Sequence, residues 1–166
     1  LYTEHPCKCG LNIVIFGAHA FSCRQNPGKH IRHNLVNKEV SSCLTKCGYK
    51  NMLEPTNLID ADGLRPDGVT INHFECGKAL TWDVTIPHQL CRSHQASTQT
   101  ALVKAEQNKK RLNNNYKFFP LAIDTLGNPG LETKTLLNSI CKQLKSKTGD
   151  PNEGTYFLQR VSVAIQ

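Results

Sequence analysis

Two β-rich runs, Val69–Phe74 and Ala79–Ile86, are separated by only four residues, Glu75 to Lys78, with a glycine at position 77. So short a link forces the runs to pair as an antiparallel hairpin. The flanking patterns have a different period. From Lys29 to Lys46 the apolar positions Ile31, Leu35, Val36, Val40, Cys43 and Leu44 fall at helical spacing, and Cys47-Gly48 supplies a stop. After the hairpin, 96–113 reads as a helix and Tyr116–Ile123 as an aromatic-rich strand. Leu131–Lys147 and Thr155–Gln166 then read as amphipathic helices. A hairpin and a further strand interleaved with helices predict an α/β fold, a mixed sheet flanked by helices. The stretch between Cys47 and the hairpin, with Glu54-Pro55 and Asp60 to Gly63, reads as irregular, and Glu54-Pro55 as the start of a turn.

The first 28 residues follow neither period beyond a short apolar strand, Asn12–Phe16. They carry Cys7, Cys9, His19 and Cys23, a set able to offer four tetrahedral zinc ligands. The Cys-x-Cys gap is tighter than usual, and His5 and His30 are the alternative imidazoles. A module this small has little core, so bound metal would supply most of its folding free energy. The expected organisation is a zinc-knuckle-like module over 1–28 and a main domain over 29–166.

Eight cysteines without a basic-then-apolar leader predict thiols and metal ligands rather than disulfides, hence a reducing, intracellular setting. Cys43 and Cys47, four apart on a predicted helix, are expected to be small buried residues. The longest apolar stretch, Ile13 to Phe16, is too short to cross a bilayer, so no membrane partner is expected. The formal net charge of +7 favours a polyanionic partner, since neutralising phosphates releases counterions. Lys29, His30, Arg32 and His33 form a basic cluster that either contacts backbone phosphates or is a solvated helix face.

The chemistry lies in the hairpin. Asp67 opens its first run and Asp83 lies in the second, alternating with the apolar Trp82 and Val84. A strand carboxylate on a covered face is costly without a partner, and a divalent cation shared by both, with Mg²⁺ suited to oxygen ligands, would provide one. Register decides whether they can share it. With Phe74 against Ala79 the two carboxylates point to opposite faces; with Glu75 against Ala79, or with a bulge near Pro66-Asp67, they share one. Otherwise they are a turn residue and a solvated strand residue. In the following helix, Lys109 falls at about 80° in the stripe of Ala101, Ala105 and Leu112, whereas Lys110 falls at about 180°. An inward lysine either snorkels out or reaches into a site as a phosphate-contacting cation.

Pro66-Asp67 at a strand start, Asp83 on the next strand and a lysine resemble the PD-(D/E)xK nuclease superfamily. The order Cys7, Cys9, His19, Cys23, then Arg32-His33-Asn34, then Arg65-Pro66-Asp67, then Asp83 is similar to the restriction-like endonuclease region of site-specific non-LTR retrotransposons. The resemblance covers roughly residues 7 to 110. It implies a restriction-endonuclease-like fold and a nuclease with Asp67 and Asp83 on catalytic Mg²⁺. It also implies structural Zn²⁺ on the knuckle, and DNA contacts from Lys29, Arg32, His33 and Arg65. The superfamily often places its lysine two residues after the strand acid, where this chain has Thr85, so Lys109 takes that role. The expected activity is nicking of DNA, with RNA a further partner class, in a nuclear setting and within a larger reverse-transcriptase polyprotein. The competing expectations are a non-catalytic nucleic-acid-binding zinc module and a structure-selective nuclease such as a junction resolvase.

Overall fold

The computed structural model describes residues 5–13, 19, 23, 25, 27–56, 58, 65–88, 102 and 116–166. Strands β1 (His5–Pro6) and β2 (Asn12–Ile13) form a small antiparallel hairpin. Helix α1 (Pro27–Lys46) follows, then β3 (Asn51–Leu53), β4 (Gly68–Thr70), β5 (Ala79–Thr85) and β6 (Tyr116–Ala122). Helices α2 (Leu131–Thr148) and α3 (Glu153–Ile165) complete the chain. The main sheet has the order β3-β4-β5-β6, with β5 and β6 parallel and the other pairs antiparallel. The fold is therefore α/β, a mixed four-stranded sheet flanked by three helices. Among the described residues, no helix is long and apolar enough to cross a membrane.

Helix α1 starts on a proline, whose missing N–H is no loss in a first turn. It ends where the chain turns left-handed at Gly48 (φ 91°). There Tyr49 N–H donates to the Leu44 carbonyl and Gly48 N–H to that of Thr45, the double bond of a glycine-terminated helix. Alternation along β5 sends Leu80, Trp82 and Val84 into a core shared with Phe119 and Leu121 of β6. The helices close that core with Val36, Val40 and Leu44 from α1, Leu136, Ile140 and Leu144 from α2, and Phe157 and Val161 from α3. Cys43 and Cys47 are buried there too, as their spacing predicts. Thr133 of α2 ties its helix to β6: its hydroxyl donates to the Pro120 carbonyl (3.0 Å) and accepts from Ala122 N–H (2.8 Å).

Two sequence expectations give way. The first hairpin run is a strand only over Gly68–Thr70, because Ile71 to His73 loop out. The segment expected to be irregular contributes β3, whose three residues pair along β4. The predicted helix over 96–113 lies outside the described residues apart from Leu102, which is helical and buried.

Candidate metal centres

The hairpin reaches its register in two steps. At the turn, Glu75 bridges Lys78, which continues as Phe74 against Ala79, the register that separates the carboxylates. Five residues then separate Glu75 from Val69, but only two separate Lys78 from Val69's partner Thr81. Three extra residues therefore lie on the first strand, and Gly68 comes to face Trp82. The loop is anchored by Ile71 N–H to the Lys50 carbonyl (2.7 Å) and by the Asn72 side chain to the Gly48 carbonyl (3.3 Å). The second step is at Asp67, whose N–H donates to the Trp82 carbonyl (3.0 Å), the acceptor aligned with Gly68. Two residues facing one is the bonding of a β-bulge, which re-aims a side chain.

The bulge turns the Asp67 carboxylate toward α1. Its Oδ2 accepts from Val84 N–H (2.6 Å) and lies 3.0 Å from His33 Nε2. One helical turn along, the buried Asn37 donates to the Asp67 carbonyl (3.3 Å) and accepts from the Trp82 indole N–H (2.7 Å). Residues i and i+4 of one helix thus hold the side chain and the backbone of Asp67. Trp82 seals the arrangement by packing against Gly68, where a β-carbon would meet its ring at 2.0 Å. His33, Asp67 and Asp83 each offer a ligand atom, all within 4.8 Å of one another, and all three are half-buried.

Burial alone would raise the Asp67 pKa. Hydrogen bonds from His33, the Asp83 carboxyl and Val84 N–H outweigh it and hold the group at about 2. The Asp67 hydrogen bond in turn raises the His33 pKa, against desolvation and with help from the charges of Asp67 and Asp83. The His33 ring is thus held against a pair of carboxylates, a donor set that attracts positive charge.

The second centre lies in the N-terminal hairpin. Cys7 and Cys9 flank its turn, which is closed by Gly10 N–H to the Cys7 carbonyl (2.9 Å). His19 and Cys23 are linked by the bond from Cys23 N–H to the His19 carbonyl (2.8 Å), which holds the two ligands close together. The four ligand atoms lie within 4.8 Å of one another. Cys7 Sγ and Cys23 Sγ are 3.6 Å apart, and Cys9 Sγ is 3.0 Å from His19 Nε2. Tetrahedral zinc with sulfurs at about 2.3 Å separates them by roughly 3.8 Å, so the cluster fits a metal such as zinc. The Cys9 backbone N–H, followed by the His19 side chain, lowers the Cys7 thiol to about 6, toward the thiolate that a metal requires.

The remaining predicted site residues are dispersed. Lys29 is exposed, and Arg32 is half-buried with its Nε–H on the Gly28 carbonyl (3.2 Å). Arg65 is exposed and paired with Glu54 (2.8 Å), which has a left-handed backbone (φ 48°) at the turn expected there. Lys109 lies outside the described residues. Sequence reasoning placed His33 with the phosphate contacts and passed over Asn37. The available signal was an amide in the stripe of Val36, Val40 and Leu44, one turn from a histidine. Compared with protein-family models and with curated proteins, the chain matches none.

Proposed function

We propose that the chain is a metal-dependent endonuclease of the PD-(D/E)xK type that nicks DNA, with Asp67 and Asp83 holding the catalytic Mg²⁺. The observation that carries the reading is the convergence of Asp67, Asp83 and His33 at the end of an irregular hairpin. A regular ladder at the turn's register would have kept the two carboxylates apart. Two carboxylates within one ion's reach suit a hard divalent cation. When bound, such an ion supplies Lewis-acid polarisation of a phosphodiester and acidifies water. The chain's own residues do the positioning: Asn37 and Val84 N–H fix Asp67, and Trp82 fixes the strand beneath it. Lys109 is the proposed phosphate-contacting cation, on the strength of its place in the helical stripe. The net charge of +7, with Lys29 and Arg32 on the helix that carries His33, supports a nucleic-acid partner.

In this reading residues 1–28 are a zinc-stabilised module and residues 29–166 the nuclease domain. The sequence resemblance is what supports a retroelement-derived, nuclear setting, in which a nick would expose a 3′ hydroxyl for primed reverse transcription. The test is nicking of supercoiled plasmid by the zinc-loaded chain with Mg²⁺, with EDTA, and with Asp67→Asn and Asp83→Asn. Mg²⁺-dependent nicking, lost in EDTA and in both variants, is expected. Absence of nicking with salt-sensitive DNA binding intact in all three proteins would replace the enzyme by a binding module.

A further inference from the structure

We propose that His33 is a third ligand of the cation at Asp67 and Asp83, and that its imidazole makes the site prefer Mn²⁺ over Mg²⁺. The inference rests on the reading of this cluster as the nuclease's cation site and deepens it by naming the ion class.

The spacing admits an ion. Cis ligands of an octahedral cation at 2.0–2.2 Å lie roughly 2.9–3.1 Å apart, and His33 Nε2 lies 3.0 Å from Asp67 Oδ2. Such an edge accommodates Mg²⁺ and Mn²⁺ alike, so donor chemistry decides. Carboxylates serve Mg²⁺, Ca²⁺ and Mn²⁺, whereas imidazole serves first-row transition ions. Mn²⁺ is the ion common to both sets. Mg²⁺ gives up its water reluctantly and gains little from a nitrogen donor.

The imidazole is also held as a ligand would be. Its Nδ1 lies 3.4 Å from the Asn34 side-chain oxygen, an acceptor for the Nδ1 proton once a cation replaces the proton that Nε2 shares with Asp67. Asn37, one turn along the same helix, bonds the Asp67 carbonyl, so nitrogen and carboxylate are positioned by one rigid element. All three side chains are half-buried, so solvent reaches the cluster.

The experiment is titration of the full chain, loaded with one equivalent of zinc to fill the cysteine cluster, with Mn²⁺, read by electron paramagnetic resonance, and competition with Mg²⁺. Wild type is compared with His33→Ala, His33→Gln and Asp83→Asn. The expected results are tighter binding of Mn²⁺ than of Mg²⁺ by about tenfold or more and a nitrogen coupling in the pulsed spectrum of bound Mn²⁺. Both histidine variants should lose that coupling and most of the Mn²⁺ preference, keep Mg²⁺ affinity within about twofold, and melt cooperatively. Asp83→Asn should weaken both ions. The nitrogen coupling in wild type requires no variant, so a misfolded substitution leaves the test intact. Mn²⁺ bound without nitrogen coupling, and with equal affinity in the histidine variants, overturns this inference alone and leaves nicking to the plasmid assay. Nitrogen-coupled Mn²⁺ without nicking sustains it and removes the nuclease. Wild-type protein that binds neither ion removes both.

Discussion

Replacing Gly68 by alanine should cost more than almost any other single methyl group added to this chain. The new β-carbon would lie 2.0 Å from Cζ2 of Trp82, 2.4 Å from Cε2 and 2.5 Å from Cη2, whereas carbons in contact sit about 3.5–4.0 Å apart. The ring must therefore move by roughly 1.5 Å. It has no free direction, because Trp82 is fully buried and its indole N–H is bonded to the buried Asn37. Overpacking costs about 1–3 kcal/mol, and pulling the indole from its acceptor leaves a buried donor unsatisfied for about 1–3 kcal/mol more. A loss of about 3–5 kcal/mol follows, which for a chain of this size lowers Tm by roughly 6–20 °C. Urea and thermal unfolding of Gly68→Ala would measure it. The double variant Gly68→Ala/Trp82→Leu makes the test specific, because the smaller side chain admits the new methyl. The two changes should be non-additive by at least about 1 kcal/mol. A Gly68→Ala protein within about 0.5 kcal/mol of wild type would refute the packing argument.

Asn37→Leu keeps the branched shape of the side chain but removes both its bonds, and should destabilise by about 2–3 kcal/mol while weakening Mn²⁺ binding; unchanged stability would refute a structural role for the amide. In metal-free protein the Asp67–His33 pair gives stability a defined pH window. Asp67, lowered from 3.8 to about 2, contributes on the order of 2 kcal/mol that is present above pH 4 and lost as pH falls through its folded value. His33, raised above 6.5, contributes stability that is complete below that pH and lost as pH rises through its folded value. These are two views of one interaction, so His33→Ala should flatten the curve of unfolding midpoint against pH at both ends, and parallel curves would exclude the pair. The tightest-bound zinc should occupy the cysteine cluster, one ion per chain, and Cys23→Ser or a thiol-competing chelator should open amide exchange in β1 and β2 while sparing β5 and β6. Simultaneous loss of protection in both would show that the N-terminal centre supports the whole fold.

The helices were legible because each carries an amphipathic period and a terminator: α1 ends at the predicted Gly48, and α2 and α3 begin within two residues of their predicted starts. Strands β5 and β6 were legible from β-rich composition. What the sequence hid was cross-strand bookkeeping. β3 has three residues, and its pairing depends on β4 lying beside it, which no local pattern announces. The looped-out Ile71 to His73 read as strand because Val69 and Ile71 alternate with Thr70 and Asn72 and Phe74 follows, although Phe74 is buried in the core and Ile71 is exposed. That the carboxylates meet only if the ladder departs from the turn's register was legible; the three-residue loop that makes the departure was not. Which alternative holds is decided by long-range partners: Gly68 under Trp82, Asn37 on both, and Lys50 and Gly48 on the loop. His33 was visible as a basic residue, but its place beside Asp67 depends on how α1 docks 34 residues away in sequence.

The looped segment has a consequence for how chains of this architecture can diverge. Because Ile71 to His73 stand outside the ladder and are fastened to Lys50 and Gly48, they act as slack between two fixed points, the buried Phe74 at the turn and the Gly68–Trp82 pair. Residues can be gained or lost there without changing the parity of the strands on either side. The interval between the two aspartates is thus free to drift while their meeting point stays put. Kinship with this chain would be better traced through the trio of Asn37, Gly68 and Trp82 than through a fixed count between Asp67 and Asp83.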